Sequence, residues 1–368
     1  MSNNYFVREQ ISHHDIFMRR CLELAATAGG LVAPNPLVGA VLVCDGRIVG
    51  EGWHKSYGAP HAEPEAITSL INTDLLPRCT LYVNLEPCNH YGKTPPCTEQ
   101  IIAAQIPRVV VACTDPFPEV NGTGIERLRK AGIEVETGIL QAEARALNKF
   151  FFTYHEKKRP YIILKWAESA DGFIDADRDE NSPPTRISNE LTRIIAHRWR
   201  SQIQAIMVGT NTVIRDNPQL TLRGVEGRNP LRLTLDRKAR LDPNRKIFDA
   251  QAETIIFVGH GQSKIYGERT ECVEVCFDEN LEESILQTLY KRRIQSLMIE
   301  GGTKLIESFI SKGFWDEARV FKSRILLTAG VKAPQVEGLR KSEENIGDNK
   351  LIIYKNPKTE NELLNEKN

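Results

Sequence analysis

The chain has 368 residues, more than one ordinary hydrophobic core accommodates, so two domains are expected. Hydrophobic residues make up 41% and charged residues 26%, as in globular proteins, and no apolar run reaches the ~20 residues that span a bilayer. The formal net charge is zero, whereas proteins that bind nucleic acids usually carry an excess of basic residues, so we expect no nucleic-acid partner. Residues 1–10 are polar, so we expect a cytoplasmic protein with no signal peptide and no membrane partner.

Strands and helices are predicted to alternate over the first half of the chain. The turn Asp45-Gly46 between two strand-like runs predicts a β-hairpin, and residues 14–28 carry apolar side chains at helical spacing. In chain order the predicted elements are helix 14–28, strands 38–44 and 47–53, helix 61–71, strand 80–85, helix 97–104, strand 108–113, helix 124–131, strand 133–137 and helix 141–152. This alternation predicts an α/β domain, in which helices cover the faces of a sheet.

A charged stretch that ends at Pro160, residues 154–160, is predicted to link two domains, 1–153 and 154–368. A second α/β pattern follows it. Its predicted elements are strands 161–166, 205–208, 232–235, 254–258 and 296–299 and helix 304–310. Both halves are therefore predicted to be of the α/β class.

Residue types that bind metals occur in a suggestive order in the first half. They are His61-Ala62-Glu63, then Pro87-Cys88, then Cys97. One His and two Cys suit Zn²⁺, and three protein ligands leave a fourth tetrahedral position for water, as in catalytic zinc sites. Zinc lowers the pKa of bound water to about 7, and Glu63 could carry a proton from this water to the attacked ring nitrogen and then to leaving ammonia. Zinc deaminases of nucleobases carry this order of residues with Cys-x-x-Cys, whereas the two cysteines here are further apart.

A lone His or a single Cys is more often structural than a ligand, so the zinc hypothesis depends on the whole set. The other cysteines lie in helix- or strand-like runs and are predicted core residues: Cys21, Cys44, Cys79, Cys113, Cys272 and Cys276. Reduced thiols are expected rather than disulfides. Two alternatives stay open. One is a structural zinc in a non-enzymatic protein, against which Glu63 and the open ligand position argue, and the other is a deaminase of another base whose C-terminal half only binds or regulates.

The second half carries less specific signals. Glu300-Gly301-Gly302-Thr303 closes a strand and opens a helix, where backbone amides could approach a phosphate, although such a sequence is more often only a turn. No Gly-x-Gly-x-x-Gly motif is present, so a Rossmann fingerprint is not supported. Arg200 and Arg223 could grip a phosphate by bidentate hydrogen bonds, whereas the alternative for Arg198 and Arg200 is a charged helix face.

Together the motifs resemble those of the bifunctional deaminase–reductase family of riboflavin biosynthesis. The matching segments are Pro34-Asn35-Pro36-Leu37-Val38-Gly39, His61-Ala62-Glu63, Glu86-Pro87-Cys88, Thr94-Pro95-Pro96-Cys97, Lys165 to Asp171-Gly172, Gly209 to Thr212-Val213, Asp216-Asn217-Pro218, Leu220-Thr221-Leu222-Arg223 and Glu300-Gly301-Gly302. The resemblance spans nearly the whole chain, and the long spacing from Cys88 to Cys97 is what this family shows.

The resemblance implies an N-terminal cytidine-deaminase-like domain, a three-layer α/β/α fold, and a C-terminal α/β domain with a dihydrofolate-reductase-like fold. It implies zinc-dependent hydrolytic deamination of 2,5-diamino-6-ribosylamino-4(3H)-pyrimidinone 5′-phosphate. It then implies NADPH-dependent reduction of the ribosyl side chain, which gives 5-amino-6-ribitylamino-uracil 5′-phosphate. One Zn²⁺ per chain, a small phosphorylated pyrimidine as substrate and a homo-oligomer, either a dimer or a tetramer, are also implied.

Site residues follow from the resemblance position by position. Zinc falls on His61, Cys88 and Cys97, with Glu63 as the proton carrier and Asn35 in a substrate-contacting loop. Cofactor positions fall on Ala167, Arg186, Thr212, Asp216, Gly302 and Thr303, and substrate positions fall on Arg200, Leu220, Arg223 and Glu300. Lys165 and Asp216 are the candidate acid/base groups for the reduction.

One segment departs from the family. Where the family has Ser-x-Trp-Ile, this chain has Pro184-Thr185-Arg186-Ile187. The serine contact to the substrate is therefore not matched, and Arg186 stands where the family has an aromatic cofactor contact.

Overall fold

The computed structural model describes residues 12–91, 95–179 and 182–359. The chain divides into two compact units, Met1–Glu156 and Lys157–Asn368. Thr94, which belongs to one of the family motifs, lies outside the described residues. Within the described ranges, no helix is long and apolar enough to cross a bilayer.

The first unit has one sheet between two layers of helices. Its elements are α1 (His13–Ala26), β1 (Gly39–Cys44), β2 (Arg47–Trp53), α2 (Ala62–Ser69), β3 (Thr80–Val83), α3 (Cys97–Ala103), β4 (Arg108–Val111), α4 (Thr123–Lys130), β5 (Glu134–Thr137), α5 (Gln141–Leu147) and α6 (Lys149–Lys157). The strand order is β2-β1-β3-β4-β5. β1 pairs antiparallel with β2 and β3, whereas β3, β4 and β5 are parallel.

Strand β1 shows why the unit has three layers. Its side chains alternate between two hydrophobic cores, so that Ala40 and Leu42 pack with residues of α2, α3 and α4, whereas Val41 and Val43 pack with residues of α1, α5 and α6. A strand that is buried on both faces reads as a continuous apolar run. The predicted hairpin is confirmed, since Asp45 and Gly46 have φ values of 49° and 74° and connect β1 to β2.

The end of the first unit differs from the prediction in two details. The predicted helix 141–152 is two helices, α5 and α6, which meet at Asn148. The Asn148 side chain accepts from the backbone N–H of Leu37 at 2.8 Å and donates to its carbonyl at 2.9 Å. The chain divides after Glu156, within the predicted linker 154–160 and slightly after the predicted boundary at residue 153, and the first part of this linker is helical up to Lys157, where α6 ends.

The second unit is built on a larger, mostly parallel sheet. Its elements are β6 (Tyr161–Glu168), β7 (Phe173–Ala176), α7 (Glu190–Arg200), β8 (Ala205–Val208), α8 (Thr210–Asp216), β9 (Leu231–Leu235), β10 (Thr254–Val258), β11 (Thr270–Glu274), α9 (Leu281–Lys291), β12 (Ser296–Glu300), α10 (Thr303–Ser311), β13 (Glu317–Lys322), β14 (Gly330–Lys332), β15 (Leu339–Ile346) and β16 (Asn349–Lys355). The nine-stranded sheet has the order β11-β10-β9-β8-β12-β6-β13-β16-β15, and β7 pairs with β14 separately. The pairs from β11 to β13 are parallel, whereas β16 is antiparallel to both β13 and β15.

A fully buried arginine fastens the segment before Leu220 in the second unit. Arg232 of β9 donates to the Asp249 carboxylate at 2.7 Å, to the carbonyl of Gln219 at 3.3 Å and to the carbonyl of Ala252 at 2.7 Å. A buried guanidinium must satisfy its N–H groups, so these bonds fix the path of the connection from α8 to β9.

Helix α2 lies directly on Gly52 of β2. A Cβ atom added there would lie 2.3 Å from the backbone N of Ala66 and 2.5 Å from the carbonyl O of Ala62. Gly52→Ala should therefore lower the free energy of unfolding by about 1–3 kcal/mol, because the helix must shift. Urea denaturation measures this. Gly209→Ala is a suitable control, because the nearest heavy atom there, Leu305 Cβ, is 3.7 Å away. Equal stabilities of the two variants would contradict the close packing of α2.

Candidate functional sites

The metal-binding residue types of the first unit converge at one edge of its sheet. His61 is the N-cap of α2, Cys97 is the first residue of α3, and Cys88 lies in the loop that follows β3. One ligand atom from each lies within 4.8 Å of the other two. His61 Nδ1 is 3.2 Å from Cys97 Sγ and 3.6 Å from Cys88 Sγ, so Nδ1 is the ring nitrogen directed at both thiols.

The surroundings of Cys88 favour a thiolate. Hydrogen bonds from the Cys97 thiol, from His61 and from the backbone N–H of Cys97 outweigh burial and lower the pKa of the Cys88 thiol to about 4. Thiolate is the form that binds metals. One imidazole and two thiols, with no fourth His, Cys, Asp or Glu in the cluster among the described residues, fit a Zn²⁺ site with an open position.

Glu63 lies in the first turn of α2 and is only 3% exposed. Burial, followed by the negative charge at Cys88, raises the pKa of Glu63 to about 7. A carboxyl group whose pKa lies near neutrality can both accept and donate a proton at neutral pH. Glu63 is not part of the ligand cluster, so it could carry protons beside the metal.

His54, which sequence analysis did not single out, orients Asn35. His54 Nδ1 lies 2.9 Å from the carbonyl O of Pro60, to which it can only donate, so Nε2 accepts from Asn35 Nδ2 at 3.0 Å. Burial lowers the pKa of His54, which keeps the ring neutral. Asn35 Oδ1 is therefore directed away from His54. A single His at the end of a strand has no sequence pattern that could have revealed this role.

Asp115 is a second residue that sequence analysis missed. It follows β4, is 8% exposed, and accepts from the backbone N–H of Phe117 at 2.8 Å. Burial, together with the negative charges of Glu86 and Cys88, raises the pKa of Asp115 to about 7. A partly protonated carboxyl group therefore lies in the loop after β4, which is the neighbour of β3 in the sheet.

In the second unit, three predicted residues form one buried charged cluster. Glu300, the last residue of β12, is paired in register with Lys165 of β6. Arg200 donates to the two Glu300 oxygens at 2.9 and 2.7 Å, and Lys165 Nζ lies 3.8 Å from Glu300 Oε2. Burial would raise the pKa of Glu300, but Arg200 and Lys165 outweigh it and lower this pKa to about 2. Burial lowers the pKa of Lys165, although Glu300 opposes this shift.

The glycine turn after β12 lies against Thr212 of α8. Gly301 and Gly302 have φ values of 86° and 76°, which favour glycine, and a Cβ on Gly302 would lie 3.1 Å from Thr212 Oγ1. Thr303, the first residue of α10, donates its hydroxyl to the carbonyl of Lys332 at 2.7 Å. A turn without side chains beside a helix N-terminus suits the phosphates of a dinucleotide cofactor.

Arg223 and Arg200 have different surroundings, although the sequence pattern predicted the same phosphate-binding role for both. Arg200 Nη1 donates to the carbonyl of Thr221 at 3.4 Å, so all three nitrogens of its guanidinium group are hydrogen-bonded. Arg223 is exposed, and among the described residues its guanidinium has no carboxylate partner, while its backbone N–H donates to His197 Nδ1 at 3.2 Å. Burial and the charges of Arg200 and Arg193 lower the pKa of Arg223. The positive charge of Arg223, beside those of Arg200 and Arg193, is therefore suited to binding an anion.

Asp216 is engaged by a residue that the motifs do not include. Arg178 forms an ion pair with Asp216 and donates to Asp175 at 2.7 Å. Burial raises the pKa of Asp216, although Arg178 opposes this shift. One oxygen of the candidate acid/base group is therefore occupied.

The remaining predicted positions are more dispersed. Arg186 is exposed and pairs with Glu190 at 3.3 Å, and it makes no hydrogen bond to another predicted site residue within the described ranges. Leu220 is buried and has a φ of 59°, and Ala167 lies half-buried in β6.

Comparison with known proteins identifies the family of each unit. A family model described as the cytidine and deoxycytidylate deaminase zinc-binding region matches residues 11–113, and one described as the RibD C-terminal domain matches residues 160–352. The riboflavin biosynthesis protein RibD of Aquifex aeolicus is 38% identical over 352 residues, which cover 92% of this chain and 97% of that protein. RibD of Synechocystis sp. is 40% identical over 325 residues, with 87% of each chain covered.

A solved structure supports the same relationship. It is a diaminohydroxyphosphoribosylaminopyrimidine deaminase/5-amino-6-(5-phosphoribosylamino)uracil reductase from Thermotoga maritima, with a TM-score of 0.85 and 39% identity. It covers 94% of this chain and 99% of its own. The resemblance inferred from the motifs and the two-domain fold class are thus confirmed. The chain belongs to the RibD family of bifunctional riboflavin biosynthesis enzymes, with a zinc-binding deaminase domain followed by a reductase domain.

Proposed function

We propose that the first unit hydrolyses the 2-amino group of 2,5-diamino-6-ribosylamino-4(3H)-pyrimidinone 5′-phosphate. The observation that supports this most directly is the convergence of His61, Cys88 and Cys97 beside the buried Glu63. A zinc ion held by these residues supplies a Lewis acid and lowers the pKa of a bound water molecule. The Glu63 carboxylate would take one proton from the attacking water and pass it to the ring nitrogen. It would then carry the second proton, from the hydroxyl group now on the ring carbon, to the amino group, which leaves as ammonia when its bond to that carbon breaks.

In this proposal, Asn35 contacts the pyrimidine. Because His54 binds the Asn35 amide nitrogen, the amide oxygen is left to accept a hydrogen bond from an amino or ring N–H group. The neutral state of His54 maintains this orientation, since a protonated ring would present a donor to the Asn35 amide nitrogen.

The second unit is proposed to reduce the ribosyl side chain of the deaminated product to ribityl, with NADPH as the cofactor. A bound nicotinamide would supply the hydride for C1′, with the substrate in its ring-opened imine form as the suitable acceptor. The turn at Gly301 and Gly302, with Thr212 and Thr303 beside it, would hold cofactor phosphates. Reduction of the imine also requires a proton. Lys165 is favoured as its donor over Asp216, because Lys165 lies beside the substrate position Glu300, whereas Asp216 is paired with Arg178.

Arg223 is the residue proposed to bind the 5′-phosphate in the second unit. Its guanidinium lacks a carboxylate partner among the described residues, and it can form paired, charge-assisted hydrogen bonds to phosphate oxygens. Arg200 instead neutralises Glu300 and contacts the segment that carries Arg223 through Thr221. Arg200 would thereby help to position the phosphate site.

Glu63→Gln should keep zinc but slow deamination at least ~10²-fold, because the amide cannot carry the proton. Reduction of the deaminated intermediate should continue at the parent rate. Zinc analysis and separate assays of the two half-reactions measure this. Glu65→Gln, in the same turn of α2, is the matched control, since Glu65 pairs with Lys55 instead. Near-normal deamination by Glu63→Gln would exclude the proton-carrier role.

Cys97→Ala should abolish stoichiometric zinc binding and destabilise the first unit, because metal binding contributes to folding where ligands must be brought together. Elemental analysis should give one zinc per parent chain and almost none for the variant, with loss of deamination. Cys276→Ala removes an exposed thiol and should change neither property. Full deaminase activity in the metal-free variant would refute the zinc mechanism.

Arg223→Ala should weaken reduction of the phosphorylated intermediate by roughly 10- to 150-fold, because a charged hydrogen bond contributes about 1.5–3 kcal/mol. Steady-state assays of the phosphorylated substrate and of its dephosphorylated analogue measure this. The parent should prefer the phosphorylated form, and the variant should be nearly indifferent.

Two control variants make the Arg223 test specific. Arg198→Ala, at an exposed position of α7, should retain the parent's preference for the phosphorylated substrate. Arg200→Ala should instead destabilise the second unit by about 3–5 kcal/mol, because Glu300 loses its main cation while buried. If Arg223→Ala keeps the preference for phosphate, the phosphate binds elsewhere.

A further inference from the structure

The loop that carries Cys88 contains a buried carboxylate, Glu86, which no step above uses. Glu86 is 4% exposed. Its Oε2 accepts from the backbone N–H groups of Asp115 at 3.1 Å and Gly122 at 2.9 Å, and its Oε1 accepts from those of Gly124 at 2.9 Å and Ile125 at 3.1 Å. Within the described residues no cation pairs with Glu86, so backbone N–H groups alone compensate its charge.

These bonds connect the loop to the N-terminus of α4. Gly124 and Ile125 lie in the first turn of that helix, and Gly122 is its N-cap. The contact is close, because a Cβ on Gly124 would lie 2.0 Å from the carbonyl O of Pro87. The backbone N–H of Glu86 also donates to the carbonyl of Cys113 at 3.0 Å, just beyond the end of β4. The two residues before Cys88 are therefore fixed from the side of β4 and α4.

Helix α3 holds Cys88 from the other side. The backbone N–H of Cys97 lies 3.4 Å from Cys88 Sγ, and that of Thr98 donates to the Cys88 carbonyl at 3.2 Å. The Thr98 hydroxyl donates to Asn89 Oδ1 at 3.0 Å. Cys88 is thus held on two sides. On one side it contacts α3, which includes the second proposed metal ligand Cys97, and on the other side Glu86 binds the N-terminus of α4.

We infer that Glu86 is a positioning residue that places the Cys88 thiolate for metal binding by fastening the loop to α4. The inference rests on the proposed zinc site. Metal–ligand distances vary by only about ±0.2 Å, so a loop that is held on both sides of Cys88 keeps its thiolate closer to the position that the metal requires. An ionised carboxylate suits this position because its two oxygens accept all four N–H groups, whereas an amide turns one acceptor into a donor that faces two N–H groups.

Glu86→Gln tests the inference in the full-length protein. Mutation of a residue that orients a metal ligand typically weakens metal affinity by about 10- to 100-fold. The zinc dissociation constant of Glu86→Gln should therefore rise by that factor, as measured by competition with a chromophoric chelator. In the cobalt-substituted protein, the near-ultraviolet thiolate-to-cobalt absorption should weaken or shift. This absorption reports the geometry at the sulfur atoms, which a general loss of stability leaves unchanged.

Leu128→Ala is the matched control. Leu128 lies on the same helix α4 and is fully buried in the core, but it makes none of the Glu86 hydrogen bonds. It should destabilise the first unit by creating a cavity while the cobalt spectrum and zinc affinity stay close to those of the parent. An equal loss of zinc affinity in both variants would mean that packing of α4, not Glu86, is responsible, and would overturn the inference.

Gly124→Ala examines the same contact from α4, because its methyl group would push against Pro87 while the Glu86 carboxylate is kept. It should weaken zinc binding in the same direction, and it decides the question if Glu86→Gln does not fold. Zinc affinity and cobalt absorption like those of the parent, in either variant, would overturn the inference. A parent that binds neither zinc nor cobalt would instead refute the proposed zinc site itself, and this failure is distinguishable because it appears without any mutation.

Discussion

The direction of neighbouring strands decides where chemistry can occur in both units. In the first unit, β2 and β3 flank β1 antiparallel to it, and β4 is parallel to β3, so the start of β1 and the ends of β2, β3 and β4 lie at one edge. The segments beyond this edge carry Asn35, His54, Cys88 and Asp115. In the second unit, the parallel strands β6, β8 and β12 likewise end at one edge, where Glu300 and the glycine turn lie. Parallel sheets place loops with free polar groups at the carboxyl ends of their strands, which is why ligands bind there.

The two units bury carboxylates by different means, and the difference matches the roles proposed for these carboxylates. An ionised carboxylate withdrawn from water costs several kcal/mol unless it is compensated. Glu86 is compensated by backbone N–H groups, which belong to a fixed helix terminus and cannot move to a substrate. Glu300 is compensated by Arg200 and Lys165, which are side chains of the predicted reductase site. Backbone compensation suits a fastening role, whereas side-chain compensation leaves charges that can interact with a ligand.

Local patterns were sufficient for most elements of the first unit and indicated His61, Cys88 and Cys97, which the fold brings together, but they did not reveal contacts made across the fold. The hairpin at Asp45-Gly46 was predictable because the turn type requires those residues. The break at Asn148 was not, since it depends on Leu37, more than a hundred positions earlier in the chain. The same limit applies to His54 and Glu86, whose partners are backbone groups or distant side chains. Arg200 and Arg223 looked equivalent in the sequence because only the fold places Glu300 beside one of them.

The segment that departs from the family contacts β7 through Thr185, and Arg178 connects β7 to the end of α8. The Thr185 hydroxyl donates to Asp175 Oδ1 at 2.7 Å and accepts from the backbone N–H of Ala176 at 3.1 Å. Burial would raise the pKa of Asp175, but Thr185 and Arg178 outweigh it and lower this pKa, so the carboxylate stays charged. Arg178 can then span from Asp175 to Asp216, the last residue of α8. Thr185 thus binds one Asp175 oxygen while Arg178 binds the other and reaches Asp216, so charged and polar hydrogen bonds connect β7 to the end of α8 beside the segment that departs from the family.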